Sequence, residues 1–232
     1  MLINNIDIKI FNAKQLTVDI QNSTFTNNSD WIKGTLIPFF EKNYIGFKTI
    51  KIELYFNGEN RDEILDNISN LMSKLTDIVI LKLDGYAKNY ECILNGNETT
   101  KTVSKRAYKK TLTFIGYEFG DEITETMNLT ASKTITVQGN TETPAIVEIT
   151  PTSDLIDITL SGFGEDSITI KNLTANKKVI LDGEARLVTV DGANKYLDTD
   201  FWEFPTLQPG TNTITCSRST ANITIKYKPR WI

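Results

Sequence analysis

The sequence predicts a mainly β protein of two domains, with one α-helix in the first and a β-sandwich or jelly roll as the second. Apolar and polar residues alternate along most segments, as in Ile50-Lys51-Ile52-Glu53-Leu54-Tyr55-Phe56, which is the period of a half-buried strand. One segment breaks that rhythm: residues 60–75 space their apolar side chains by three and four, the stripe of an amphipathic helix. Beyond Met127 turn residues recur at intervals of roughly ten, the spacing of a sandwich built from short strands. The 232 residues are enough to bury cores without disulfide or metal staples.

Taken in order, residues 6–10 and 16–20 alternate as two opening strands. Residues 23–48 follow no single period, yet carry Trp31, Ile32, Leu36, Ile37, Phe39 and Phe40 among Asn, Ser, Gly and Pro. They read as an irregular arm or long loop with apolar anchors. From Phe47 a strand runs to Asn57-Gly58, and a helix follows at once. Asn60 is its N-cap, Asp62 and Glu63 complement the dipole of the first turn, and Glu63 stands at capping-box spacing. Ile64, Leu65, Ile68, Leu71, Met72 and Leu75 form the apolar stripe.

Ile78-Val79-Ile80-Leu81 reads as a central strand, turned by Asp84-Gly85 into a hairpin. Strands over 87–94 and 103–117 come next, the second carrying Lys105, Arg106, Lys109 and Lys110. Lysine-rich strands keep exposed sheet edges from aggregating. Large aromatics then vanish between Gly120 and Pro151, which places a domain boundary near Met127 and divides the chain into 1–127 and 128–232. In the second domain, strands are expected over 134–138, 146–150, 155–162, 167–173, 178–181, 187–190, 213–217 and 222–228. The run Phe201-Trp202-Glu203-Phe204-Pro205-Thr206-Leu207-Gln208-Pro209-Gly210 reads as a short aromatic strand, a proline-bounded turn and a new strand.

Composition excludes several functions. A net charge of −4 opposes direct nucleic-acid binding, which needs a basic surface to displace counterions. Histidine is absent, removing the commonest general base and metal ligand. Cys92 and Cys216 lack metal or redox spacing and read as reduced core residues. Residues 1–10 have neither a basic leader nor a continuous apolar run, so neither a signal peptide nor a membrane span is expected there.

The Asp182-Gly183 and Asp191-Gly192 pairs lack the alternate ligands of a calcium loop and read as hairpin turns. Gly162-Phe163-Gly164 is a turn rather than a phosphate cradle. No catalytic, cofactor or metal site is expected, and the chain is not read as an enzyme. Trp202 and Trp231 could stack on a sugar, but the aromatic segment is better suited to a core or an interface.

Three groups of segments carry a family resemblance. The first half contains Ile52-Glu53-Leu54-Tyr55-Phe56-Asn57-Gly58, Asn60-Arg61-Asp62-Glu63-Ile64 and Leu83-Asp84-Gly85-Tyr86. The second contains Ile149-Thr150-Pro151-Thr152-Ser153-Asp154-Leu155, Ile168-Thr169-Ile170-Lys171-Asn172-Leu173 and Val179-Ile180-Leu181-Asp182-Gly183. The aromatic-proline run and the closing residues 223–231 complete the set. In this order they resemble the distal tail proteins of long-tailed, non-contractile bacteriophages.

The resemblance implies a ring-forming N-terminal β-sandwich with one helix and an outward-facing, galectin-like C-terminal β-sandwich. It implies a non-catalytic homo-hexamer at the virion tail tip, made in the host cytoplasm. The partners would be the tail tube protein and a tail-tip, tail-associated or receptor-binding protein. Trp31, Phe39 and Phe40 are the expected subunit-interface residues, because unpatterned aromatics suit an inter-subunit contact. The alternative is a carbohydrate-binding adhesin whose second domain holds a host surface glycan.

Overall fold

A computed structural model of the chain describes residues 1–27, 29–40, 44–96 and 99–232. It divides into two compact units, Met1–Phe119 with Ile232, and Gly120–Trp231. The division falls N-terminal to the expected boundary at Met127. Ile123–Asn128 pairs in register with Ala221–Tyr227 and so belongs to the second unit. The loss of large aromatics that begins at Gly120 marks the division better than Met127 does.

In the first unit the antiparallel strand order is Ile6–Asp7, Leu2–Ile3, Val79–Lys82, Asn89–Leu94, Ala107–Phe119, Lys48–Asn57 and Ala13–Gln21, with Thr99–Ser104 added beside Ala107–Phe119. Lys48–Asn57 turns Ile50, Ile52, Leu54 and Phe56 inward, each wholly buried, as its alternation predicts. Ala107–Phe119 lies against it with Leu112 and Phe114 also fully buried. Val79–Lys82 is central and forms the expected hairpin with Asn89–Leu94. Its continuous apolar run nevertheless alternates in burial: Val79 and Leu81 face the core while Ile80 faces out. The segment expected as one strand over 103–117 is a hairpin, Thr99–Ser104 paired back onto Ala107–Phe119.

The helix, Arg61–Met72, starts where its cap predicts. Ile64, Ile68 and Leu71 enter the core, joined by Leu75 just beyond the last turn, while Leu65 faces solvent. Spacings of three and four from Ile64 select that face, and Leu65 lies off it.

The opening segment differs from expectation. Of the strand expected over residues 6–10, Ile6–Asp7 alone is extended, and Ile8–Phe11 is a 3-10 turn. The Asp7 carboxylate accepts from the Lys9 amide at 3.0 Å, and Asn12, with φ 51°, ends the turn. This local side-chain bond competes with a strand ladder, and it leaves Ile8 and Phe11 buried with Ile10 exposed.

The second unit is a sandwich of two antiparallel sheets. One orders Ile123–Asn128, Ala221–Tyr227, Thr143–Pro151, Val179–Asp182, Leu187–Val190 and Ala193–Asn194, with Thr206–Leu207 paired to Thr143–Pro151. The other orders Ser132–Val137, Gly210–Cys216, Leu155–Ser161, Ile168–Leu173 and Thr199–Asp200. Inward residues of both sheets, including Val147, Ile149, Ile158, Leu160, Ile214 and Ile225, share one core. Each predicted strand of this domain has its counterpart here. The Gly162-Phe163-Gly164 turn lays Phe163 into that core.

The aromatic run is the exception. Thr199–Asp200 is extended, but residues 201–205 are irregular. Phe201 and Phe204 both turn toward the core, which a strand cannot do for residues three apart. Their rings meet edge to face with centroids 5.1 Å apart, and Tyr196 stacks on Phe204 at 6.3 Å.

Candidate assembly surfaces

The titratable groups show how the fold uses its polar chemistry. Burial pushes the Cys92 thiol up to about 12, and Cys216 is also free, buried and raised by burial. Burial disfavours the thiolate form of both, the form a reactive cysteine needs. Tyr90 is raised to about 12 by burial and by the Glu118 charge. Glu118 itself is held by Lys48 at 3.2 Å and Lys88 at 2.8 Å. In the second unit Glu148 accepts from both Lys178 and Lys226 at 2.6 Å. The hydrogen bonds from Lys178 and Lys226 hold its carboxyl below the usual range, and Glu148 in turn raises Lys226. Each carboxylate is held between two lysines.

The two Asp-Gly pairs are turns with different mechanics. Asp191 and Gly192 have φ of 49° and 79°, and Val190 pairs with Ala193 across them. That is a type I′ hairpin, which needs positive φ at both central residues. Asp182 acts through its side chain instead, accepting from the amides of Glu184 at 2.9 Å and Ala185 at 2.8 Å. Gly183 fills a close approach, since a Cβ there would lie 2.7 Å from the Ala145 carbonyl oxygen. Among the described residues no group of three or more His, Cys, Asp or Glu is placed to hold a metal ion. No helix among them is long and apolar enough to cross a membrane.

What remains unaccounted for is exposed apolar surface, and its densest stretch among the described residues lies on the arm. Residues 28 and 41–43 of the arm fall outside the described residues. The rest is a narrow ribbon: Phe25 pairs with Ile45 and Thr26 with Tyr44, then Ser29 with Phe40 and Asp30 with Phe39. Its far end is a turn in which the Thr35 amide donates to Ile32 O at 3.1 Å and Trp31 Nε1 donates to Thr35 O at 3.2 Å.

The expected interface residues all lie here, with Trp31 63%, Phe39 58% and Phe40 74% exposed. Phe39 and Phe40 are consecutive in a strand and so point to opposite faces. Both faces are therefore bare. Phe25, Tyr44, Ile45 and Phe47 are exposed as well and were missed from sequence; the dense, unpatterned apolar content from Phe25 to Phe47 was the signal that could have found them. An exposed apolar patch of this kind commonly marks a surface that a partner buries.

A second exposed set lies in the second unit. Trp202 is 90% exposed and Leu197 fully so, whereas Trp231 is half-buried. The segment that carries them is tightly held: Lys195 pairs with Asp198 at 2.7 Å, Asn172 Nδ2 donates to Asp198 at 2.9 Å, and Thr199 Oγ1 donates to Tyr196 O at 2.6 Å.

Comparison with known proteins gives these surfaces a context. The family model of the siphovirus-type tail component, C-terminal domain, matches residues 138–231, most of the second unit but not its first two strands. The second unit is thus similar to a siphovirus-type tail component domain. The fold likeness extends to the full chain. It superposes with a TM-score of 0.81 at 11% identity on the Dit (gp 19.1) protein of phage SPP1, described as a paradigm of hub adsorption apparatus in Gram-positive infecting phages, covering 100% of this chain and 98% of that one. A chain of the phage P2 baseplate, in its activated conformation with calcium, matches with a TM-score of 0.54 at 13% identity over 96% of this chain and 92% of that one. The same baseplate with strontium gives 0.53 at 13% identity, over 97% and 94%. No curated protein sequence matches the chain. At these identities the structural likenesses show a shared fold, and the expectation of a mainly β chain with one helix agrees with it.

Proposed function

We propose that this chain is a structural hub at the distal end of a phage tail tube, where six copies form a ring that joins the tube to tail-tip, baseplate or receptor-binding proteins. The observation that carries the reading is the likeness to the SPP1 Dit protein over the full chain, together with the tail-component match of residues 138–231. The arm supplies a physical basis for repeated contacts between copies, with Trp31, Phe39 and Phe40 as interface anchors. Aromatics at the centre of an interface often dominate its energy. The role is rigid placement without chemistry, in the virion tail and after synthesis in the host cytoplasm.

A glycan-binding adhesin is favoured by one observation, the bare Trp202 ring. Asp198, Asn172 and Lys195, which brace the segment carrying it, bond to one another and are not free to read hydroxyl groups. Silencing the gene in a phage that carries it tests the hub reading. Loss of completed tail tips, with tubes still made, is expected; normal tail tips without the protein would overturn it. Binding of the full chain to a glycan array, lost on Trp202→Ala, would favour the adhesin instead.

A further inference from the structure

Two exposed surfaces outside the arm are complementary. In the second unit, Trp202 and Leu197 stand clear of a segment braced by the Tyr196, Phe201 and Phe204 rings. Asp200 and Glu203 flank Trp202, both exposed. The Glu203 carboxylate lies beside the turn at Gly164, which carries exposed Glu165 and Asp166. Two cations lie among them: Lys171 Nζ is 3.9 Å from Asp200, and Lys195 Nζ is 2.7 Å from Asp198. Carboxylates outnumber cations around the apolar tip.

In the first unit, the hairpin joining Thr99–Ser104 to Ala107–Phe119 has the opposite character. Val103 is 55% exposed at its end, and Lys101, Lys105 and Arg106 around it are exposed. Lys101 lies directly across from Lys109, which Glu53 neutralises at 3.2 Å. The strand is exposed along its whole length.

We propose that the acidic, apolar tip at residues 196–204 of one copy docks on the basic hairpin at residues 103–106 of a second copy. The inference rests on the multi-copy reading above and adds a contact separate from the arm. Charge complementarity selects a second copy as the occupant, since each chain carries both halves. A contact between two different patches of identical chains is head-to-tail, and it closes into a ring when the rotation between copies permits.

Size sets its strength. Tyr196, Leu197 and Trp202 expose on the order of 400 Å² together, about half of one partner's share in a stable interface. The contact is therefore auxiliary: it adds to an assembly held elsewhere, fixes the rotation between neighbours and weakens with salt, as contacts between exposed charges do.

Charge exchange on the full chain tests it, with assembly followed by sedimentation velocity at low and high salt. Asp200→Lys with Glu203→Lys is expected to weaken assembly about tenfold, and Lys105→Glu with Arg106→Glu to do the same. All four changes in one chain are expected to restore it. Thermal melts confirm that each variant folds. No effect of either reversal, or a combined variant weaker than both, would overturn the proposal. If the reversals are silent while Trp31→Asp disperses the assembly, the docking contact falls and the arm reading stands. A wild-type chain that stays monomeric sinks both.

Discussion

The Glu63 amide donates to Asn60 Oδ1 at 3.0 Å, while the Glu63 carboxylate reaches back to the Glu59 amide at 2.8 Å. This is a capping box shifted by one residue, since the return bond goes to the residue before the N-cap rather than to the N-cap itself. Two amides at the helix start that lack intrahelical partners are thereby satisfied. Asn60→Ala should cost about 1 kcal/mol and Asn60→Gly only a few tenths. Urea unfolding separates the two, and an equal loss for both would mean that the side-chain bond contributes nothing.

Leu71 is fully buried in the first core. Leu71→Ala should destabilise by about 2–5 kcal/mol, through lost burial and a residual cavity. Leu65→Ala, one step off the same stripe and 40% exposed, should cost far less. Equal shifts in melting temperature would contradict the assigned helix face.

Glu148 gives the second unit a pH dependence of definite sign. Its folded pKa is depressed by Lys178 and Lys226, so its stabilisation is present above the ordinary carboxylate value and is lost as pH falls through the folded one. Lys226 is raised by Glu148, so its share is present below the ordinary lysine value and is lost as pH rises through the folded one. Glu148→Gln should cost about 1 kcal/mol at pH 7, given how exposed the two lysines are. The difference from wild type should shrink toward pH 3. A penalty unchanged across that range would refute the ion-pair account.

A scaffold should tolerate loss of single carboxylates. Asp191→Asn keeps the positive-φ turn, and Asp182→Asn keeps an oxygen able to accept from Glu184 and Ala185. Both variants should melt within a few degrees of wild type and support normal plaque formation. Complete loss of growth from either change, with the fold intact, would point to a carboxylate-dependent site.

These outcomes bear on how far the sequence could be read. Burial on one face repeats every second residue, so Lys48–Asn57 and the main strands of the second sandwich were visible as alternation. The reading failed where a local interaction outweighs that pattern. The Asp7 carboxylate captures the Lys9 amide and ends the strand expected over 6–10 early, and Phe201 and Phe204 turn inward together and meet edge to face, which breaks the aromatic strand. Pairing in the arm was hidden because neither face of the ribbon is buried, so no period marks it. Trp31, Phe39 and Phe40 were nevertheless legible as exposed candidates, because several bulky residues in a row without a period cannot all turn to one core face.

The central claim is that copies assemble through the arm. Native mass measurement of the full chain at micromolar concentration, beside Trp31→Asp and Phe40→Asp, tests it most directly. The account predicts a species of six times the chain mass for wild type, and its loss from both variants with the melting temperature retained. A wild-type monomer at all concentrations, or variants that assemble as well as wild type, would contradict it.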